Sequence, residues 1–355
     1  MDKYGIDSHK LIYHVDRLNS WMNGENIYPI YMEASPSGAC NHRCIYCGLD
    51  FMGYKPEFYD TQKFSKVLKE LGGLGLKSIM YAGEGEPFLH KQFPLIIENT
   101  RAAGIDAAIT TNAVLFKPEY ADSILSNTQW IKVSINAGTA KTYSAIHKTC
   151  EDDFEKVINN MRHAAEVNKK NRYNCTLGMQ MLLLTENKDE AVTLASIARD
   201  VGMEYLVIKP YSQHPQSITT KYNSITYKDY YDLADELEKL NTPDFNVVFR
   251  INAMKEWDEN KKSYERCCAL PFWSYIDSHG NVWGCSMYLR NDKFLYGNIF
   301  EQSFEVIWNG EKRKKSLLYT STELDTSTCR VNCRMDKINS YLWNLKNPPA
   351  HINFI

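Results

Sequence analysis

Three cysteines stand within eight residues, in the run Cys40-Asn-His-Arg-Cys44-Ile-Tyr46-Cys47, and this C-x3-C-x2-C spacing constrains the chain more than any other feature. Three thiolates on one short loop can hold three irons of a 4Fe-4S cluster and leave the fourth iron without a protein ligand. An open iron is a place for chemistry. Zinc is the alternative occupant, and it would want a fourth ligand, for which His42 is the near candidate. The compact x3-then-x2 spacing differs, however, from the paired C-x2-C zinc pattern.

A chain of 355 residues can bury one full domain and a smaller one. A hydrophobic content of 44% and a charged content of 24% are those of an ordinary globular protein. The formal net charge of -2 gives no electrostatic case for nucleic acid as a partner. The basic run Lys312-Arg313-Lys314-Lys315 reads as a solvated helix face. No stretch reaches the roughly eighteen apolar residues of a membrane helix, and the start lacks a signal peptide, so no membrane partner and a cytoplasmic location are expected. Eight of the ten cysteines fall in two groups with ligand-like spacing, which suits a reducing compartment and metal binding.

Apolar strand-like runs at residues 30–35, 78–82, 107–111, 130–136, 176–184 and 205–209 alternate with amphipathic helical stretches, such as Phe64, Val67, Leu68 and Leu71. Strands in such series predict a parallel sheet, since parallel neighbours need crossover helices. Further helices are expected over residues 8–23 and 228–240. A polar stretch, 212–226, reads as a long loop, and residues 273–283 read as a β-hairpin turning at His279-Gly280-Asn281.

On its cysteine loop and the turn Gly83-Glu84-Gly85-Glu86-Pro87, the chain resembles the radical S-adenosylmethionine (SAM) superfamily, whose motif there is Gly-Gly-Glu-Pro. That resemblance implies an α/β fold: a partial (β/α)6 TIM-like barrel over 30–242, preceded by a capping segment 1–29 and followed by a small α+β iron-sulfur domain over 243–355. It implies a SAM-binding 4Fe-4S cluster on Cys40, Cys44 and Cys47, with SAM on the open iron cleaved to a 5'-deoxyadenosyl radical. Gly85 and Glu86 would hold the methionine amino group, and Tyr46 the adenine. The polar strand endings at Ser134, Asn136 and Asn112 suit the carboxylate and ribose, while Gln180 and Lys209 would meet SAM or substrate. The pair Asn112-Ala113 departs from the Asn-Gly of many members.

Cys268-x11-Gly280-x4-Cys285, followed by Cys329-x3-Cys333, looks like the opening of a SPASM or twitch module. The resemblance implies four ligands for one auxiliary 4Fe-4S cluster: Cys268, Cys285, Cys329 and Cys333. Cys267 also satisfies the spacing; if Cys268 is the ligand, Cys267 is a spare thiol able to return a hydrogen atom to a substrate radical. Zinc at these thiols is the alternative. Cys150 and Cys175 read as buried apolar filler.

The tail Cys329 to Asn339 and the closing His351-Ile-Asn-Phe-Ile resemble sugar-type members. The expected substrate is a small polar molecule, a sugar, aminocyclitol, nucleoside or nucleotide-sugar, undergoing dehydrogenation, elimination, decarboxylation or epimerisation. An external one-electron donor such as flavodoxin or ferredoxin would be the partner, and Tyr211-Ser212-Gln213-His214 would bind hydroxyls or phosphate. Two rivals stand beside this: a peptide-modifying enzyme with a separate leader-binding partner, and a non-catalytic zinc-binding barrel.

Overall fold

The computed structural model describes residues 3–354; residues 1, 2 and 355, which end the expected capping and auxiliary segments, lie outside the described residues. Ten strands form one sheet: β1 (Tyr31–Ala34), β2 (Ser78–Tyr81), β3 (Asp106–Thr111), β4 (Thr128–Ser134), β5 (Thr176–Leu182), β6 (Tyr205–Lys209), β7 (Asn246–Phe249), β8 (Trp273–Ile276), β9 (Asn281–Trp283) and β10 (Leu295–Asn298). Their order is β10-β9-β8-β1-β2-β3-β4-β5-β6-β7. The run from β1 to β7 is parallel throughout, and helices such as Thr61–Gly73, Phe93–Ala102 and Ala191–Val201 make the crossovers.

The helices form for readable reasons. Asp60 caps Thr61–Gly73 by accepting from the Lys63 N–H, and Phe64, Val67, Leu68 and Leu71 fall on one face and are buried. They pack against the outward residues of the sheet, Met32, Ile79, Ile109, Ile131, Val133, Met179, Met181, Leu206 and Ile208, in one large core. Alternation sends the other side chains to the concave face: Tyr31 and Glu33, Met80, Ala108 and Thr110, Trp130, Lys132 and Ser134, Gln180, Val207 and Lys209. The sheet curls about that face, because Lys132 in β4 lies within electrostatic reach of both Glu33 in β1 and Arg250 beyond β7. The result is the partial barrel expected.

The floor of this barrel is packed. Gly178 in β5 makes room for the Tyr205 ring, whose Cζ would lie 2.1 Å from a Cβ there, and Tyr4 and Ile6 close over Tyr205, Val207 and Val248.

Four local expectations differ from what forms. The sheet gains β7, paired to β6, from a segment beyond residue 242; only Val247, Val248 and Phe249 carry its apolar run, too short to register as a strand. The helix expected over 8–23 is confined to Val15–Met22 after a 3-10 turn, Leu11–Tyr13, and that expected over 228–240 to Leu233–Glu238. Arg313 is not solvated: it is buried against the Trp308 ring, 3.9 Å from its centroid, and donates to the Asn26 side chain and the Trp308 carbonyl.

The hairpin β8–β9 forms as expected, with Asp277 accepting from the His279 and Asn281 N–H groups and Gly280 at φ +84°. Its first strand also pairs in parallel with β1, from Tyr31 opposite Trp273 to Ala34 opposite Ile276. The C-terminal region therefore continues the barrel sheet.

Candidate active site and metal centres

The cysteine loop leaves the C-terminal end of β1, the mouth of the barrel, and is clamped to the turn after β2. Ala39 accepts a hydrogen bond from the Glu86 N–H at 2.8 Å. Gly85 lies so close beneath that a Cβ would meet the Ala39 oxygen at 2.1 Å and the Ser37 oxygen at 2.5 Å. Only glycine permits that approach. Next to it, Gly83 at φ +118° faces Ser35 and the Tyr275 hydroxyl, and the Glu84 N–H donates to Ser35 Oγ.

Cys40, Cys44 and Cys47 sit together: Cys44 feels both other thiols electrostatically, and Cys40 feels Cys47. Burial, and after it the Glu86 carboxylate, pushes the Cys40 thiol up to about 12, and burial raises Cys44 and Cys47 as well. Buried thiols with raised pKa become ligands only when a cation draws them to thiolate. An iron-sulfur cluster fits this donor set.

His147 adds a feature the spacing did not show. Its Nε2 lies 2.9 Å from the Ile135 carbonyl, which leaves Nδ1 as acceptor 3.2 Å from Cys44 Sγ. With His42 the two offer three ligand atoms within 4.8 Å of one another. The His42 ring nitrogens have no hydrogen bond among the described residues; Nε2 has only Asp153 at 3.5 Å. Burial holds the pKa of both imidazoles down, that of His147 to about 3.

The other expected SAM contacts divide in two. Glu86, Asn112 and Asn136 spend their side chains inside the chain. Glu86 accepts from Thr111 Oγ1 at 2.5 Å, the Asn112 N–H at 2.8 Å and the Phe88 N–H at 3.2 Å, and burial raises it to about 7. Asn112 donates to Asn41 and accepts from the Val114 N–H. Asn136, fully buried at φ +55°, accepts from the Leu182 N–H and donates to the Tyr46 hydroxyl. These three side chains therefore help position the cysteine loop, Tyr46 and the strand ends; Asn112 and Asn136 tolerate tight turns because their side chains bond the nearby backbone. Tyr46 sits edge-on to His147. By contrast Ser134, Gln180 and Lys209 face the lumen, and Gln180 Oε1 is buried with no partner among the described residues.

Tyr211-Ser212-Gln213-His214 is likewise spent internally. Ser212 donates to the Val331 carbonyl, Gln213 to the His214 and Thr219 carbonyls, and the His214 ring meets the Ser286 carbonyl, so this loop ties the barrel to the C-terminal region.

In that region one small enclosed cavity is lined by Cys267, Cys285, Cys329 and Cys333, with Leu270, Met287, Phe294 and Leu324 around them. Cys285 is raised well above its ordinary value by burial first and then by Cys333, Cys267 and Cys329. Cys268 is absent from this group: it packs with Leu11, Ile27, Ile30, Phe272 and Leu342. Asn339 decides the matter by accepting from both the Cys268 and Ala269 N–H groups, which fixes the backbone so that the thiols of 267 and 268 point opposite ways. Cys267, not Cys268, is thus the fourth thiol lining this cavity. Four thiols in an apolar pocket fit a second cluster. Cys175 is buried filler as expected, but Cys150 is exposed.

The lumen is strongly basic. Lys209 senses Lys132, Arg250, Arg334 and Arg330, and burial, then those neighbours, holds it well below its usual range. Lys132 is pulled down to about 8, by burial first and then by Arg334. Arg334 pairs with Glu33 at 2.8 Å and bonds the Tyr31 hydroxyl at 2.9 Å, and Arg250 pairs with Asp7 at 2.9 Å.

Comparison with known proteins agrees with this geometry. The sequence profile of the Radical SAM superfamily matches residues 34–198, and that of the SPASM iron-sulfur cluster-binding domain matches residues 267–334. The GTP 3',8-cyclase of Chlorobaculum tepidum is 26% identical over 189 residues, covering 52% of this chain and 55% of that protein. That of Tolumonas auensis is 30% identical over 140 residues, covering 38% and 40%. The matches thus span about half the length of these curated relatives. Among solved structures, Streptococcus suis SuiB bound to S-adenosylmethionine superposes with a TM-score of 0.67 at 17% identity, covering 95% of this chain and 79% of that one. The anSMEcpe structure with bound AdoMet and Cp18Cys peptide gives 0.60 at 20% identity, covering 88% of each. Residues 34–198 thus match the radical SAM domain and residues 267–334 the iron-sulfur SPASM domain, domains that imply a SAM-binding 4Fe-4S cluster and auxiliary iron-sulfur. Among the described residues no helix is long and apolar enough to cross a membrane.

Proposed function

We propose, from the premise of a radical SAM domain joined to an iron-sulfur SPASM domain, that this enzyme abstracts a hydrogen atom from a small polar substrate held in the barrel lumen. Cys40, Cys44 and Cys47 would hold the SAM-binding cluster, and Cys267, Cys285, Cys329 and Cys333 a single auxiliary one. When bound, the first cluster supplies the electron that splits the sulfonium of SAM, and an external flavodoxin or ferredoxin would replenish it. The chain's own part is positional. Gly85 lets the cysteine loop lie on the turn after β2, Asn136 and His147 orient Tyr46, and Ser134, Gln180 and Lys209 offer polar atoms below them.

The observation that carries the reading is this clamped thiol loop over a polar lumen whose Gln180 oxygen lacks a partner among the described residues. A sugar, cyclitol, nucleoside or nucleotide-sugar suits hydrogen-bonding groups of that kind. The half-length relatives are GTP cyclases, which keeps nucleotides within the class. A peptide substrate delivered by a separate leader-binding partner is the second reading, favoured by the fold shared with SuiB, a structure of which is bound to its precursor peptide SuiA.

Anaerobic reconstitution, iron counting and a SAM cleavage assay under strong reductant test the proposal. About eight irons per chain and release of 5'-deoxyadenosine are expected, with deuterium passing into it from a labelled sugar or nucleotide. Failure to cleave SAM with both clusters in place overturns it; deuterium transfer from a peptide alone moves the substrate to the second reading.

A further inference from the structure

Among the described residues, five cations, Lys132, Lys209, Arg250, Arg330 and Arg334, gather at the concave face of the barrel, and ion pairs answer two of them. Register sets Lys132 opposite Gly178 and Lys209 opposite Leu182, four residues further along β5, both on the concave face; the curl of the sheet brings the two, and Arg250 after β7, within electrostatic reach. Arg330 and Arg334 reach in from the segment around Cys333. Glu33 answers Arg334, and Asp7 answers Arg250. Among the described residues no ion pair answers Lys132, Lys209 or Arg330, and Arg330 Nε is buried without any hydrogen-bond partner.

Like charges gathered in a partly buried cavity are costly unless an anion joins them. SAM does not supply the deficit, since its carboxylate is outnumbered by its ammonium and sulfonium, and the Cys333 thiolate bears on Arg330 and Arg334 rather than on the two lysines. Resting on the reading of the lumen as the substrate site, we infer that the substrate carries a phosphate or diphosphate group, seated on Lys132, Lys209 and Arg330. A guanidinium with two ammonium groups suits phosphate oxygens, which accept several charge-assisted hydrogen bonds at once. The buried Gln180 oxygen, on the strand between Lys132 and Lys209, is then left for a hydroxyl or amide of the substrate's neutral part. The charge balance makes the substrate a phosphorylated metabolite, of the nucleotide, nucleotide-sugar or sugar-phosphate kind, in preference to a neutral sugar or cyclitol.

The test is calorimetric titration of the anaerobically reconstituted full chain with pyrophosphate, uridine diphosphate, uridine and citrate. Uridine diphosphate and pyrophosphate are expected to bind at least tenfold more tightly than uridine and citrate, with affinity falling as salt rises. Lys132→Met is expected to cost uridine diphosphate at least tenfold in affinity with iron content unchanged. Lys209→Met, judged by the ratio of uridine diphosphate to uridine binding, serves if the first variant does not fold. Phosphate probes binding no better than uridine, or both lysine variants binding them like the parent, overturn the inference; citrate binding more tightly than pyrophosphate replaces phosphate by carboxylate and overturns it too. Normal SAM cleavage without anion binding defeats this inference alone. Lysine-dependent phosphate binding without SAM cleavage defeats only the reading it rests on.

Discussion

Replacing Gly85 with alanine should disable the site through a single methyl group. The added Cβ would stand 2.1 Å from the Ala39 oxygen and 2.5 Å from that of Ser37, both main-chain atoms that no rotamer change can move aside. A comfortable carbon–oxygen contact is about 3.3 Å, so the loop must lift by roughly 1 Å. The hydrogen bond from the Glu86 N–H to Ala39, 2.8 Å long, then breaks. Losing it and stranding a buried donor costs about 1–3 kcal/mol, and the overpacking adds about 1–3 kcal/mol. We expect about 2–6 kcal/mol less stability by urea denaturation. Cys40 follows Ala39 directly, so iron in the first site should fall sharply. Gly73→Ala is the control: nothing lies within 4 Å of a Cβ at that helix end, and the change should stabilise by about 0.5–1 kcal/mol. If Gly85→Ala unfolds at the parent's urea midpoint and retains full iron, the clamp does not exist as described.

Cys267→Ser should remove the auxiliary chromophore and its share of iron, whereas Cys268→Ser should leave both intact; electron paramagnetic resonance of the reduced proteins reads the difference, and the reverse pattern would refute the cavity assignment. Asn136→Ala strips buried partners from the Leu182 N–H and the Tyr46 hydroxyl, so a loss of about 2–4 kcal/mol is expected in thermal melts together with weaker SAM binding. Glu84, buried and also repelled by Asp277, titrates in the fold at about 7 against an ordinary 4.5. The folded chain thus holds more protons than the unfolded one between those values, and stability falls as pH rises through that window, by up to about 3 kcal/mol. Glu84→Gln should remove that part of the slope in denaturation curves taken from pH 4.5 to 8, leaving the similar share of Glu86; an unaltered slope would show that Glu84 ionises freely.

The first metal loop was plain in the sequence because its donors are contiguous and need no knowledge of the fold. Cys267 and Cys268 were not separable that way, since a shift of one residue satisfies the spacing equally and the choice is made by Asn339, far along the chain. Polar residues at the ends of β3 and β4 were legible in place but not in direction: Asn112 and Asn136 turn to the main chain, while Ser134 and Gln180 face the lumen. The Asn-Ala departure has a structural counterpart, for Ala113 sits at φ +60°, where glycine would be unstrained. The charge imbalance inside the barrel was invisible because its residues, from Lys132 to Arg334, are scattered over some two hundred positions and only curvature gathers them.

The parallel ladder of β8 on β1 has a bearing on how the molecule can be dissected. A chain cut before Trp273 would forfeit more than its second set of thiols: the strand that leads into the first metal loop would lose its outer neighbour and present a bare row of amide and carbonyl groups. Such an exposed border invites sticking to other chains, so an isolated barrel fragment should precipitate or dimerise, and any iron it failed to hold would be a symptom of that raw flank.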